Sequence, residues 1–185
     1  MRRTFIIILL PVVMGCIFAK NIHAQPYTEY ELKAAYLFNF GKFVIWPDEA
    51  FKTTGSVFYI GIYGKDPFGN VLNEVVKNKS LQNREVKILI CENAADARKC
   101  HILFLSQVSG QQAMELVKEL AGLPILTVGD QIDDFCQNGG VINFTPQNYK
   151  YRFEISNIAA QKLKLVISSK LLALAKIITE DEIKF

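Results

Sequence analysis

Hydrophobic and polar positions change period several times along the chain, and each change marks an element. "TEYELKAAYLFNFGKF", residues 28–43, begins with Thr28 and carries Glu31 three positions later, the pattern of a capping box. Glu29 and Lys33 stand one helical turn apart with opposite charge. A helix is expected over 28–44, ended by Pro47. "SVFYIGIYG" (56–64), "REVKILI" (84–90), "HILFLS" (101–106) and "LPILTVGD" (123–130) are short apolar runs, as in strands covered on both faces. Between them, "DPFGNVLNEVVKN" (66–78) predicts a helix with Asp66 as cap and Pro67 at its first position. "GQQAMELVKELAG" (110–122) predicts an amphipathic helix closed by Gly122. "QIDDFCQNGG" (131–140) predicts a short helix capped by Asp130. "VINF" and "YKYRFEIS" read as two strands around a turn at Thr145–Asn148, and "NIAAQKL" and "SSKLLALAKIIT" as closing helices. Strands alternating with helices predict a three-layer α/β/α sandwich around a mostly parallel sheet of about six strands. It would be Rossmann-like but without a dinucleotide fingerprint, with the last hairpin antiparallel, in one domain over residues 27–180.

The first residues follow a different rule. Arg2 and Arg3 precede "FIIILLPVVMGCIFA" (5–19), and Ala24-Gln25 ends a stretch with Ile22 and Ala24 at the two recognition positions. This is the pattern of a cleaved secretory signal over residues 1–24. A run of 15 apolar residues is short for a membrane core about 30 Å thick. The alternative is a lipid anchor at Cys16 within "VMGC", where Met14 fits a lipobox poorly. Cleavage removes Arg2, Arg3 and Lys20 and no acid, so 21 basic and 18 acidic residues become 18 and 18. A neutral mature chain without basic clusters excludes nucleic acid as a partner class.

Candidate chemistry is sparse. The chain contains no G-x-S-x-G, H-E-x-x-H, Walker A or G-x-G-x-x-G motif, and His101 is the one histidine beyond the signal. Cys100 and His101 are neighbours on a strand start and would point to opposite faces, so they do not form a nucleophile pair. Asp130, Asp133 and Asp134 lack the ligand spacing of a calcium loop, and no metal or cofactor is expected. Open α/β sheets bind ligands at the carboxyl ends of their strands. That places Lys65, Asp66, Ser106, Gln107 and Asp130 around a candidate small-ligand crevice. Cys91, Cys100 and Cys136 remain after cleavage, and export favours their oxidation. Cys91 with Cys100 is the favoured pair. Geometry opposes it: on adjacent parallel strands the two would lie at opposite ends, beyond the ~7 Å Cα limit of a disulfide.

Three segments resemble the YfiR-like periplasmic proteins. "LKAAYLFNFGKFVIWP" matches the N-terminal signature, with Tyr36, Phe38, Phe40, Phe43 and Trp46-Pro47. "YIGIYGKDPFG" resembles the first strand and turn, and "FEISNIAAQKLKLVISSKLLALAKII" the C-terminal block. "CHILFLS" and "ILTVGD…FCQNGGVINF" fall between them in the family's order. Ser156 and Lys164 depart from the Asn and Gly common among relatives. The resemblance implies an exported, non-enzymatic regulator that forms a homodimer. It would bind the periplasmic sensor domain of an inner-membrane diguanylate cyclase and repress cyclic-di-GMP synthesis. The rival expectation is a periplasmic small-ligand sensor or carrier using the strand-end crevice. Residues 34–46 are apolar on nearly every side, more than one inward stripe requires. The excess marks Phe38, Phe40, Phe43 and Trp46 as candidate partner-binding residues.

Overall fold

The computed structural model describes residues 28–51, 57–147 and 150–185. The expected signal and Cys16 lie outside the described residues, as does the tip of the last hairpin at 148–149. In chain order the strands are β1 Val44–Ile45, β2 Phe58–Gly64, β3 Ser80–Leu81, β4 Arg84–Cys91, β5 Ile102–Ser106, β6 Leu126–Asp130, β7 Ile142–Gln147, β8 Lys150–Ile155, β9 Val166–Ile167 and β10 Lys176–Ile177. The helices are α1 Glu29–Phe43, α2 Val71–Val76, α3 Ala94–Ala97, α4 Gly110–Glu119, α5 Asn157–Lys162 and α6 Ser169–Leu172.

Eight strands form one sheet in the order β10-β8-β7-β6-β5-β2-β4-β3. The block β4-β2-β5-β6-β7 is parallel throughout. β7 and β8 form the expected antiparallel hairpin, and β3 folds back antiparallel on the start of β4. The parallel α/β architecture is as the apolar runs predict, with eight strands where about six were expected. The two extra strands, β3 and β10, contribute two residues each, too few to show a period in sequence.

Alternation along the strands builds a core on each face of the sheet. Ile102 and Phe104 pack with Ala34, Leu37 and Phe40 of α1 and Leu72 of α2. Leu103 and Leu105 pack on the other face with Ala113 and Leu116 of α4 and with Phe135 and Cys136. The predicted α1 forms as read: Thr28 accepts from the Glu31 N–H and the Glu31 carboxylate accepts from the Thr28 N–H.

Other expected elements differ. Asp66 does not cap α2. It turns the chain by accepting from the Phe68 N–H at 2.8 Å, and the helix begins at Val71. Residues 131–140 form turns, because Asp130 ends β6 and is engaged with Lys33 instead of capping a helix. The closing helix stops at Leu172, and Lys176–Ile177 pair in parallel with Glu154–Ile155. A free sheet edge satisfies the backbone there, with Ile178 N–H donating to Ile155 O at 2.9 Å, and Ile178 is buried below it.

Candidate functional site

The strand-end residues are only partly brought together. Asp130, at the end of β6, has a nearly buried side chain, and its carboxylate is paired with the Lys33 ammonium. Lys33 also pairs with Glu29 and lies 4.9 Å from the centre of the Tyr30 ring. Tyr30 donates its hydroxyl to Asp130 at 3.4 Å. The first turn of α1 thus stands over the end of β6 and is anchored there by charge. Ser106 is fully buried, and its Oγ has no hydrogen-bond partner among the described residues. Lys65, Asp66 and Gln107 remain exposed, with Gln107 in the left-handed region (φ 53°).

The aromatic residues of α1 divide between core and surface. Phe40 is enclosed by Tyr36, Phe144 and Phe153, with ring centres 5.3–5.9 Å away. Trp46 meets Phe58 edge-on at 5.1 Å. Phe38 sits beneath the ammonium groups of Lys42 and Lys79, at 4.6 and 5.0 Å from its ring centre. Phe38, Phe40 and Trp46 are therefore buried, and only Phe43 is open to solvent, at 37%. The apolar excess read from residues 34–46 is absorbed on three sides: by the sheet, by α2, and by lysine stems lying over a ring.

The segment after α1 exposes a different apolar face. At Val44 the chain passes from helix to strand, so its period changes from 3.6 to 2. β1 pairs antiparallel with β9, Val44 opposite Ile167 and Ile45 opposite Val166. Ser168 N–H donates to Phe43 O at 2.9 Å and extends the ribbon by one step. Val44 and Ile167 point into the core. Ile45 and Val166 point outward, exposed at 60% and 59% and directly opposite one another, and Phe43, the residue before the ribbon, is exposed as well. This outward face joins the N-terminal and C-terminal blocks of the chain. Ile45 and Val166 were not singled out from the sequence, because a two-residue ribbon has no periodicity and its partners are 121 positions apart.

His101 is held as a structural ring. It stacks on both Phe58 (4.7 Å, 21°) and Phe51 (4.8 Å, 16°), whose own ring centres are 6.4 Å apart, and the Arg84 guanidinium lies 3.8 Å from the centre of the Phe51 ring. Its Nδ1 accepts from the Tyr59 N–H at 3.1 Å. Burial pushes its pKa down to about 4, with the nearby Arg84 charge acting the same way and a hydrogen bond to Ala50 opposing it. A neutral, stacked imidazole whose Nδ1 already accepts from the backbone is not positioned as a general base.

The geometric objection to a Cys91–Cys100 pair does not hold. β4 and β5 are parallel but are not neighbours, because each pairs with a different edge of β2. The segment joining them crosses the face of β2 and carries Cys100 over Gly61, to within 3.5 Å of the Cys91 Sγ. Gly61 makes the meeting possible, since a methyl group there would run into the Cys100 sulfur. The shared hydrogen bond favours the Cys91 thiolate and disfavours that of Cys100, whose burial adds to the effect. Cys136 is buried apart from them, and desolvation raises its pKa. No group of three or more metal-ligating side chains occurs among the described residues, and no described helix is long and apolar enough to cross a membrane.

A search of curated proteins finds no match. A family model described as YfiR/HmsC-like matches residues 30–176, from the first turn of α1 to the start of β10 and most of the chain. That span includes both strands of the exposed ribbon and the sheet between them, and the chain belongs to the YfiR/HmsC-like family.

Proposed function

We propose that this protein is exported, has no catalytic activity of its own, and works as a homodimeric regulator. It binds the periplasmic sensor domain of an inner-membrane diguanylate cyclase and represses cyclic-di-GMP synthesis. The observation that carries the reading is the outward face of the β1–β9 ribbon. Ile45 and Val166 are opposed and more than half exposed, with Phe43 beside them, within a chain of this family. Aliphatic and aromatic side chains grouped on a surface lose hydration when a partner covers them, and this drives association. The engaged Asp130 carboxylate and the buried Ser106 leave less of the strand ends open to a small ligand.

Deletion of the gene in the native host, followed by measurement of cellular cyclic-di-GMP, tests this function. The level should rise in the deletion strain. It should return on complementation with the wild-type gene, but not with Ile45→Lys/Val166→Glu. An unchanged level in the deletion strain would rule out cyclase repression. Intact mass of the host-purified protein should place the N-terminus at Gln25. Retention of Met1 would contradict cleavage, and a lipidated Cys16 would make the protein a membrane-anchored form.

A further inference from the structure

The two edges of the large sheet are guarded unequally. At one edge, β8 carries the exposed Arg152, and β10 covers its end through Glu154 and Ile155. Charges of this kind on an edge strand discourage further pairing. At the other edge, β3 covers β4 only at Arg84 and Glu85. Beyond that point β4 runs Val86-Lys87-Ile88-Leu89-Ile90-Cys91, and among the described residues this stretch pairs with β2 alone. Half of its backbone groups face outward, and Ile90 is 50% exposed.

We infer that this edge is where a second copy of the chain pairs, β4 against β4 in antiparallel register about a two-fold axis. The inference rests on the homodimer in the function proposed above and specifies its interface. A register centred on Leu89 puts Leu89 opposite itself, Ile88 opposite the other copy's Ile90, and Lys87 opposite its Cys91. Ile88, Leu89 and Ile90 then each meet an aliphatic residue, and Val86 faces Glu92. No like charges face each other, because Lys87 lies opposite Cys91, and Lys87 has Glu85 beside it at 3.4 Å on its own strand. Space supports the same register. The other copy's β3 would lie level with residues 93 and 94, where the chain has already left the sheet for α3. Five of the six uncovered residues, Lys87 to Cys91, are therefore matched to the same five of the other copy. A strand from an unrelated protein would gain the backbone bonds but would have no reason to match both the length and the aliphatic order.

The mature chain provides the test. Sedimentation should show a dimer at micromolar concentration. Ile90→Lys, a change at a half-exposed position, should shift it to monomer with an unchanged circular dichroism spectrum. In a Cys91→Ser background, Leu89→Cys should cross-link the dimer under mild oxidation, because residues opposed on antiparallel strands have Cα atoms ~5 Å apart. Ile90→Cys should not, since it meets its counterpart only diagonally, at ~7–8 Å. A dimer that survives Ile90→Lys without cross-linking at residue 89 would overturn this interface and leave the homodimer standing. A wild-type chain that stays monomeric would overturn both the interface and the homodimer, while cyclase repression would still be judged by its own cyclic-di-GMP measurement.

Discussion

Lys33 has no exposed surface, and its ammonium lies between the carboxylates of Glu29 and Asp130. The Glu29–Lys33 partnership is readable from sequence as a surface helix pair. The burial is not, because Asp130 arrives from a strand 97 positions later. Replacing Lys33 by Met strands the Asp130 carboxylate beside Tyr30 and Phe144. The expected loss is about 3 kcal/mol in urea unfolding, with partial recovery when Asp130→Asn is added. A loss below ~1 kcal/mol would show that the pair contributes little net stability.

His101 gives a pH signature. Its folded pKa of about 4 lies below the ordinary 6.5, so the unfolded chain takes up the proton first as pH falls. Stability from the neutral ring is complete above pH 6.5. It declines between 6.5 and 4, by up to ~3 kcal/mol, and changes no further below 4. His101→Gln should flatten that part of the stability curve relative to wild type, and identical slopes would contradict the assignment. At the cysteines, eight residues separate Cys91 from Cys100, and closing so short a loop contributes roughly 2–3 kcal/mol. Non-reducing peptide mapping of protein from an oxidising compartment should yield a Cys91–Cys100 linked peptide, with Cys136 alkylated only after unfolding. Three free thiols would show that the contact stays reduced.

Among the elements, α1 is the clearest in sequence because its capping box, its ion pair and Pro47 agree with one another. Three of the four apolar runs, those of β2, β5 and β6, find their strands for a similar reason: burial on both faces leaves little polar phase to misread, whereas β4 buries only Val86 and Cys91. Legibility fails where an element is completed by a distant partner. "SSKLLALAKIIT" has helical spacing, yet the open edge of β8 captures Lys176–Ile177 as a strand. The aromatic residues of α1 look like a contact surface until α2, β7 and β8 cover them. Of the four candidates on that stretch only Phe43 is open, and the outward face of the ribbon that follows it is made by Ile45 and Val166. Ile45→Lys/Val166→Glu places opposite charges across the ribbon, where both side chains already meet water. The expected stability change is under ~1 kcal/mol with an unchanged spectrum. A larger loss would mean that the face supports the fold and is not free for a partner.

At the scale of the whole molecule, the family span starts in α1, crosses a parallel sheet and returns through β9, so a segment from its first part and one from its last part meet in the ribbon. The sheet acts as a scaffold that holds two distant segments side by side, while His101 and the cysteine pair consolidate its two faces. Parallel α/β order follows from the sequence pattern. The placement of β4 and β5 on either side of β2 does not, and that placement decides which cysteines meet. The proposed role of the ribbon face is to hold a membrane cyclase, and affinity capture tests it most directly. Tagged mature chain, wild type or Ile45→Lys/Val166→Glu, is incubated with a detergent extract of the host's inner membrane, and retained proteins are identified by mass spectrometry. A diguanylate cyclase with a periplasmic domain should be enriched on the wild type and lost on the variant. Absence of any cyclase from the wild-type capture, or equal retention on both, would contradict that role.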